Sequence, residues 1–141
     1  MGKEKIAFII NPVSGRKKNR ISAERIKEHL DPDRHSPVFL TTEFQGHAYI
    51  LAQQAAVAGC KIIVAVGGDG TVNEVASAVI KLHAVLGIIP TGSGNGLARH
   101  LKIPFAPEKA IEVIRQAKKV RIDAGQVNGS SFFCTCGIGF D

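Results

Sequence analysis

The sequence predicts an α/β fold: a parallel sheet in three layers, with helices on both faces. Two observations predict it. Short apolar runs alternate with segments of helical period, the pattern of parallel strands joined by helical crossovers. Three strand ends run directly into loops rich in Gly, Ser and Asn, namely NPVSGRKKN, GGDGT and PTGSGNGLAR. In open parallel sheets ligands bind in the crevice outside the carboxyl ends of the strands.

The elements follow in order. Lys5 to Ile10 (KIAFII) is a short apolar run that stops at Asn-Pro, a turn signal. Asn19 to Leu30 places Ile21, Ile26 and Leu30 on one helical face, and DPDRHSP breaks it. Val38 to Thr42 is the second strand. Gly46 to Ala58 is Ala-rich and helical, with Gly59 as its stop. Lys61 to Val66 (KIIVAV) is a fully buried third strand. Thr71 to Leu82 is a helix with Val72, Val75, Ala76 and Val79 on one face. Val85 to Ile89 is the fourth strand, and Pro107 to Ala117 a helix with Pro107 in its first turn. The rhythm then changes. Lys119 to Val127 and Ser130 to Cys136 alternate around Asn128-Gly129, a strong hairpin signal. The expected division is an α/β domain over 1–118 and, over 119–141, the opening strands of a second, β-rich domain lying mostly beyond residue 141.

With 141 residues, the chain is long enough to bury about 68–70% of its unfolded surface without disulfide or metal staples. Its net charge of +6 suits an anionic partner such as a nucleotide, a nucleic acid or an acidic membrane surface. One Tyr and no Trp argue against a stacking platform for single-stranded nucleic acid, and sequence-specific nucleic-acid binding is not expected. Cys60, Cys134 and Cys136 lack CxxC spacing and are expected to be small hydrophobes in a reducing, cytoplasmic setting. No apolar run reaches the length of a membrane span. MGKEKIAFIINP has neither the pattern of a secretory signal nor that of a myristoylation site.

In the glycine loops the missing side chains let the backbone approach phosphate, exposed N–H groups bind its oxygens, and a helix N-terminus adds positive field. Asp69, alone among these glycines, would repel phosphate unless a cation lay between them. Mg²⁺ is held by one or two carboxylates together with phosphate oxygens and water. Asp69 is therefore read as a Mg²⁺ or water-shell ligand, or as a base for an attacking hydroxyl. The plainer alternative is a cap on the helix from Thr71, and the flanking GG and GT favour the functional reading. The loops do not form a Walker P-loop, because GIIPTGS lacks the Lys-Ser/Thr pair. Nor do they form a dinucleotide fingerprint, because GSGNGL lacks its third glycine.

GGDGTVNEV at Gly67 to Val75 resembles the nucleotide motif of the diacylglycerol kinase catalytic domain family. NPVSG at Asn11 to Gly15, TEFQGHA at Thr42 to Ala48 and PTGSGNGLAR at Pro90 to Arg99 resemble its other loops, in family order. GSGN is closer to sphingosine and ceramide kinases than to most diacylglycerol kinases. GGDGT alone is shared with NAD kinases and phosphofructokinases, whereas the full set is far more specific. The resemblance implies a Rossmann-like nucleotide domain of the NAD kinase and phosphofructokinase type, followed by a β-sandwich that GIGFD would open. It implies ATP- and Mg²⁺-dependent phosphate transfer to a lipid hydroxyl by an enzyme peripheral to a membrane.

Carried over residue by residue, the resemblance has Asn11 and Ser14 lining the nucleotide pocket, Arg16 reaching phosphate and Thr42 hydrogen-bonding toward the nucleotide. Gly67, Gly68, Gly70 and Thr71 would cradle phosphates, with Asp69 on Mg²⁺. Glu74 would support the loop or the metal shell. Gly92, Ser93, Gly94 and Asn95 would close the other side. The chain by itself is expected to have little turnover, and an uncovered apolar face would favour self-association. The competing readings are an NAD or sugar-phosphate kinase of the GGDGT type, or a nonenzymatic nucleotide-binding module. Arg16, Lys17, Lys18 and Arg20 form a basic run, read as a solvated loop or as an attraction for anionic membrane. Glu43 is read as pocket-lining or exposed, Arg99 as an ion-pair or phosphate contact, and His47 as a cap or surface residue. His29, His35, His83 and His100 are read as structural or exposed.

Overall fold

Four apolar runs become the central strands: β1 (Glu4–Ile10), β2 (His35–Thr41), β3 (Ile62–Gly67) and β4 (Val85–Pro90). They pair in parallel, in the order β2-β1-β3-β4. The computed structural model describes residues 2–13, 21–82, 84–91, 96, 106–116, 119–120, 125–127, 130–132 and 137–138. β3 lies between two neighbours and all six of its residues are buried. A strand covered on both faces needs no polar alternation, which is why KIIVAV reads as one apolar run.

The helices are α1 (Ala23–Glu28), α2 (His47–Val57), α3 (Asp69–Leu82) and α4 (Pro107–Gln116). α2 and α3 pack on each other and over β1, β3 and β4. α4 lies on the opposite face. There Gly87 stands in register with Val64, and Val64 with Phe8. A Cβ on Gly87 would meet Val64 Cγ2 at 2.9 Å and Ile114 Cγ1 of α4 at 3.4 Å, so the glycine lets α4 close on the sheet. Phe8 continues that row by stacking on Phe39 of β2 at 5.3 Å. Arg25 of α1 pairs with Glu108 of α4, which puts α1 beside α4 and completes the three layers.

Helix ends follow their capping residues. α1 starts at Ala23, later than the expected Asn19, because Ser22 accepts the Arg25 N–H at 3.2 Å as N-cap. Ile21, Ile26 and Leu30 are all buried, but only Ile26 lies in the helix, which ends at Glu28; Ile21 and Leu30 flank it rather than share its face. α2 closes with the Cys60 N–H on the Ala55 carbonyl and the Gly59 N–H on the Ala56 carbonyl, both at 3.0 Å. Gly59 stands at φ +99°. This is a Schellman closure, with glycine supplying the left-handed residue. On α3, Val72, Val75, Ala76 and Val79 are all buried.

β2 begins three residues before the expected Val38 and takes in Pro37, which pairs with Ile6. Proline reads as a breaker, but β2 is an edge strand, and there a missing N–H is tolerated. Beyond residue 118, β5 (Lys119–Val120) and β8 (Gly137–Ile138) extend the main sheet past β4. β6 (Gly125–Val127) and β7 (Ser130–Phe132) pair with each other antiparallel, Val127 opposite Ser130. This is the pairing expected across Asn128-Gly129. Among the described residues no helix is long and apolar enough to cross a membrane.

Candidate functional site at the carboxyl edge of the sheet

Strand register assembles the site. Ile10 of β1 lies opposite Thr41 of β2 and Val66 of β3, and Gly67 lies opposite Pro90 of β4. β1 and β2 therefore end at one level, and β3 and β4 run one residue further, so that Asn11 and Thr42 stand level with Gly67 and Pro90. Backbone bonds prolong the ladder one step: Thr42 N–H to the Ile10 carbonyl at 2.9 Å, Asn11 N–H to that of Val66 at 3.0 Å, and Thr91 N–H to that of Gly67 at 3.1 Å. Segments far apart in sequence thus meet along one edge.

The loops are then tied to each other. Asn11 Nδ2 donates to Thr71 Oγ1 at 3.3 Å, and Asn11 Oδ1 accepts the Val13 N–H at 3.1 Å. One side chain fixes its own turn and joins the first loop to α3. Thr71 is buried against Gly67, where a Cβ would lie 2.7 Å from Thr71 Oγ1. Glycine at 67 is required by this internal contact. At Gly68 and Gly70 an added Cβ would meet nothing within 4 Å, so their openness faces solvent or a ligand.

α3 begins at Asp69, two residues before the expected Thr71, so Asp69 is its first helical residue rather than a cap preceding it. A carboxylate in a helix's first turn is favoured by the unpaired N–H groups there. Asp69 is exposed, and its Oδ1 accepts the Gly96 N–H at 2.7 Å, linking the second glycine loop to the third. Glu74, one turn further, uses both oxygens on the start of α2. Oε2 accepts from Gly46 N–H at 3.0 Å and Oε1 from Ala48 N–H at 3.2 Å. In this structure Glu74 braces the loop after β2.

Between these loops opens a cavity of about 560 Å³, the size of a small-molecule site. Asn11, Thr42, Gly70, Thr71 and Glu74, all singled out from the sequence, line it together with Glu43. Pro12, Val13, Phe44 and Gln45 also line it. Sequence reasoning did not assign these four a role, although each lies inside a quoted motif. Gly67, at the end of β3, Gly68 and Asp69, the first residue of α3, lead directly into the lining residue Gly70 but are not themselves among the residues that line the cavity. Ser14, Arg16, Gly92, Ser93, Gly94 and Asn95 lie outside the described residues, as do Lys17, Lys18, Arg20, His83, Arg99, His100, Cys134 and Cys136.

The described residues contain no cluster of three or more His, Cys, Asp or Glu side chains able to hold a metal by themselves. A single exposed carboxylate fits Mg²⁺ held chiefly by phosphate oxygens and water. Cys60 lies at the opposite end of β3, buried. Burial pushes its thiol up, partly offset by Lys5, so it is a poor nucleophile. His35 is buried with Nδ1 accepting the Asp31 N–H at 3.1 Å, and His47 Nδ1 accepts the Glu43 N–H at 2.9 Å. Both stabilise turns.

A parallel α/β sheet with glycine loops gathered around one cavity at its carboxyl edge defines the class: an α/β domain with a cavity of small-molecule size at the loop ends of its strands. The comparisons narrow it. The family model of the diacylglycerol kinase catalytic domain matches residues 5–127. A protein of Serratia proteamaculans (strain 568) named "Probable lipid kinase YegS-like" is 35% identical over 130 residues, 89% of this chain and 41% of that protein. A protein of the same name from Yersinia pestis (strain Pestoides F) is 36% identical over 120 residues, 82% of this chain and 40% of its own length. The crystal structure of a diacylglycerol kinase from Bacillus anthracis str. Sterne superposes with a TM-score of 0.70 at 28% identity, over 92% of this chain and 44% of that one. The chain belongs to the diacylglycerol kinase catalytic domain family, and it spans about two fifths of the curated relatives it matches.

Proposed function

We propose that this chain is the ATP-binding part of a lipid kinase that transfers the γ-phosphate of ATP to a lipid hydroxyl. The observation that carries the proposal is the convergence of Asn11, Thr42, Gly70, Thr71 and Glu74 on one cavity at the carboxyl edge, with Asp69 next to Gly70 in the chain and bonded to Gly96 of the third loop. Residues 1–118 supply the nucleotide domain; after them two short strands extend its sheet and a separate hairpin, β6-β7, forms, and this stretch leads into a second domain that contributes most lipid contacts. The enzyme works in the cytoplasm, peripheral to a membrane. The chain alone turns over little.

The chemistry assigned to each residue follows from its position. The open backbone of Gly68 and Gly70 and the N-terminus of α3 receive phosphate oxygens. Asn11 and Thr42 line the nucleotide side of the cavity. Ser14, Arg16, Gly92, Ser93, Gly94 and Asn95 complete the contacts from the first and third loops. Thr71 and Glu74 hold the loops in place. Asp69 would hold Mg²⁺, which would supply positive charge against the transferring phosphate. Positioning and charge neutralisation account for most of phosphoryl-transfer catalysis, and both require loops held rigidly before the nucleotide arrives.

The test is phosphate transfer from radiolabelled ATP to mixed lipid vesicles by the full-length protein containing this chain. Radiolabel should enter the lipid fraction only with Mg²⁺, and Asp69→Asn should lower the rate by about 100-fold or more, the scale of losing an electrostatic stabiliser. Label that enters NAD or a sugar phosphate but no lipid would contradict the proposal. An Asp69→Asn enzyme as active as the wild type would contradict the metal role.

A further inference from the structure

The loop after β2 presents an aromatic surface to the cavity that no motif assignment covers. Phe44 is 57% exposed and lines the cavity. One face of its ring stacks on the His47 imidazole, with centroids 4.3 Å apart and planes within 12°.

The ring is held, not loose. His47 N–H donates to the Phe44 carbonyl at 3.1 Å, closing a turn whose third residue, Gly46, stands at φ +92° and ψ −13°. These angles lie in the left-handed region, which favours glycine at that position. His47 Nδ1 accepts the Glu43 N–H, and Glu74 Oε2 accepts the Gly46 N–H from across the site. The imidazole is thus fixed through Nδ1 and the Phe44 backbone through the turn, and neither bond occupies a ring face. A pre-formed two-ring stack beside a cavity is suited to a third flat ring, because stacking requires only a π-face and little further ordering.

We infer that Phe44, backed by His47, is the platform on which the nucleobase of the bound nucleotide stacks. This rests on the nucleotide reading of the cavity and adds the residue that would tell a nucleotide from a bare polyphosphate. Phe44 contributes ring contact to the base and nothing to the phosphates, which lie toward Gly68 and Gly70.

Calorimetric titration of the chain with Mg·ATP and with Mg·tripolyphosphate separates the two. The wild type should bind ATP more tightly than tripolyphosphate. Phe44→Ala should weaken ATP about 10-fold, within the range of one base–aromatic stack, and leave tripolyphosphate unchanged. Phe44→Tyr should restore ATP affinity. Unchanged ATP affinity in Phe44→Ala overturns the platform while the nucleotide site stands. Equal weakening of both ligands also overturns it, since the ring would then act by packing the loop. A wild-type chain that binds tripolyphosphate as well as ATP excludes a base platform, and one that binds neither removes the nucleotide site and the platform together.

Discussion

Gly67 and Gly70 stand three residues apart and are glycine for different reasons. At Gly67 an added methyl would collide with the Thr71 side chain, 2.7 Å from Oγ1 and 2.8 Å from Cβ. Gly67→Ala should therefore destabilise the chain by about 1–3 kcal/mol, the usual cost of overpacking. Gly70 lies inside the first turn of α3 with open space beside it. Gly70→Ala should stabilise the fold by roughly 0.5–1 kcal/mol, the helix preference for alanine, and still weaken Mg·ATP. Chemical denaturation and calorimetry on the two variants check both halves; a stabilised Gly70→Ala chain with unchanged ATP affinity would remove Gly70 from the phosphate cradle. The sequence identified both glycines as backbone-permissive but could not separate them. The separation depends on where the Thr71 side chain falls, which no spacing reveals.

At the scale of elements, α2 and α3 are joined where they leave the sheet. Glu74 of α3 accepts two N–H groups from the start of α2, residues 26 and 28 positions away. These N–H groups have no partner within their own helix, and Gly46 offers no side chain to cap it. Glu74→Ala should cost about 1–3 kcal/mol, the penalty of leaving partly buried donors unmet. It should also raise the hydrogen-exchange rate of the Gly46 and Ala48 amides, and unchanged exchange there would contradict the bracing role. The alternation of strands and helices was legible because buried parallel strands are nearly continuous apolar runs and the helices carry apolar stripes. The misread boundaries each have a local cause. Pro37 lies on an edge strand, Ser22 caps α1 later than the apolar period begins, and α3 starts at Asp69, inside the glycine turn. The bracing pair was invisible because it joins elements adjacent only through the fold.

Across the whole molecule the core carries the stability, and the carboxyl edge carries the cavity and the loops around it. The ion pair between Arg25 and Glu108 connects α1 and α4, but both side chains are largely exposed, and such pairs contribute at most about 1 kcal/mol. The sheet residues Ile6, Phe8, Ile9, Ile62, Ile63, Ile88 and Ile89 are essentially sealed from solvent, which makes the edge above them a rigid base for loops. The motif loops were legible as a set because each follows a strand. Their common cavity, and the part of Phe44, Gln45, Pro12 and Val13 in it, required the register that puts Asn11, Thr42 and Gly67 at one level. The central claim is that this edge receives Mg·ATP. The most direct test is calorimetric titration of the 141-residue chain with ATP, with and without Mg²⁺, alongside NAD and GTP. ATP binding should strengthen with Mg²⁺ and lose that dependence in Asp69→Asn. ATP binding indifferent to Mg²⁺, or no binding of ATP where NAD binds, would contradict it.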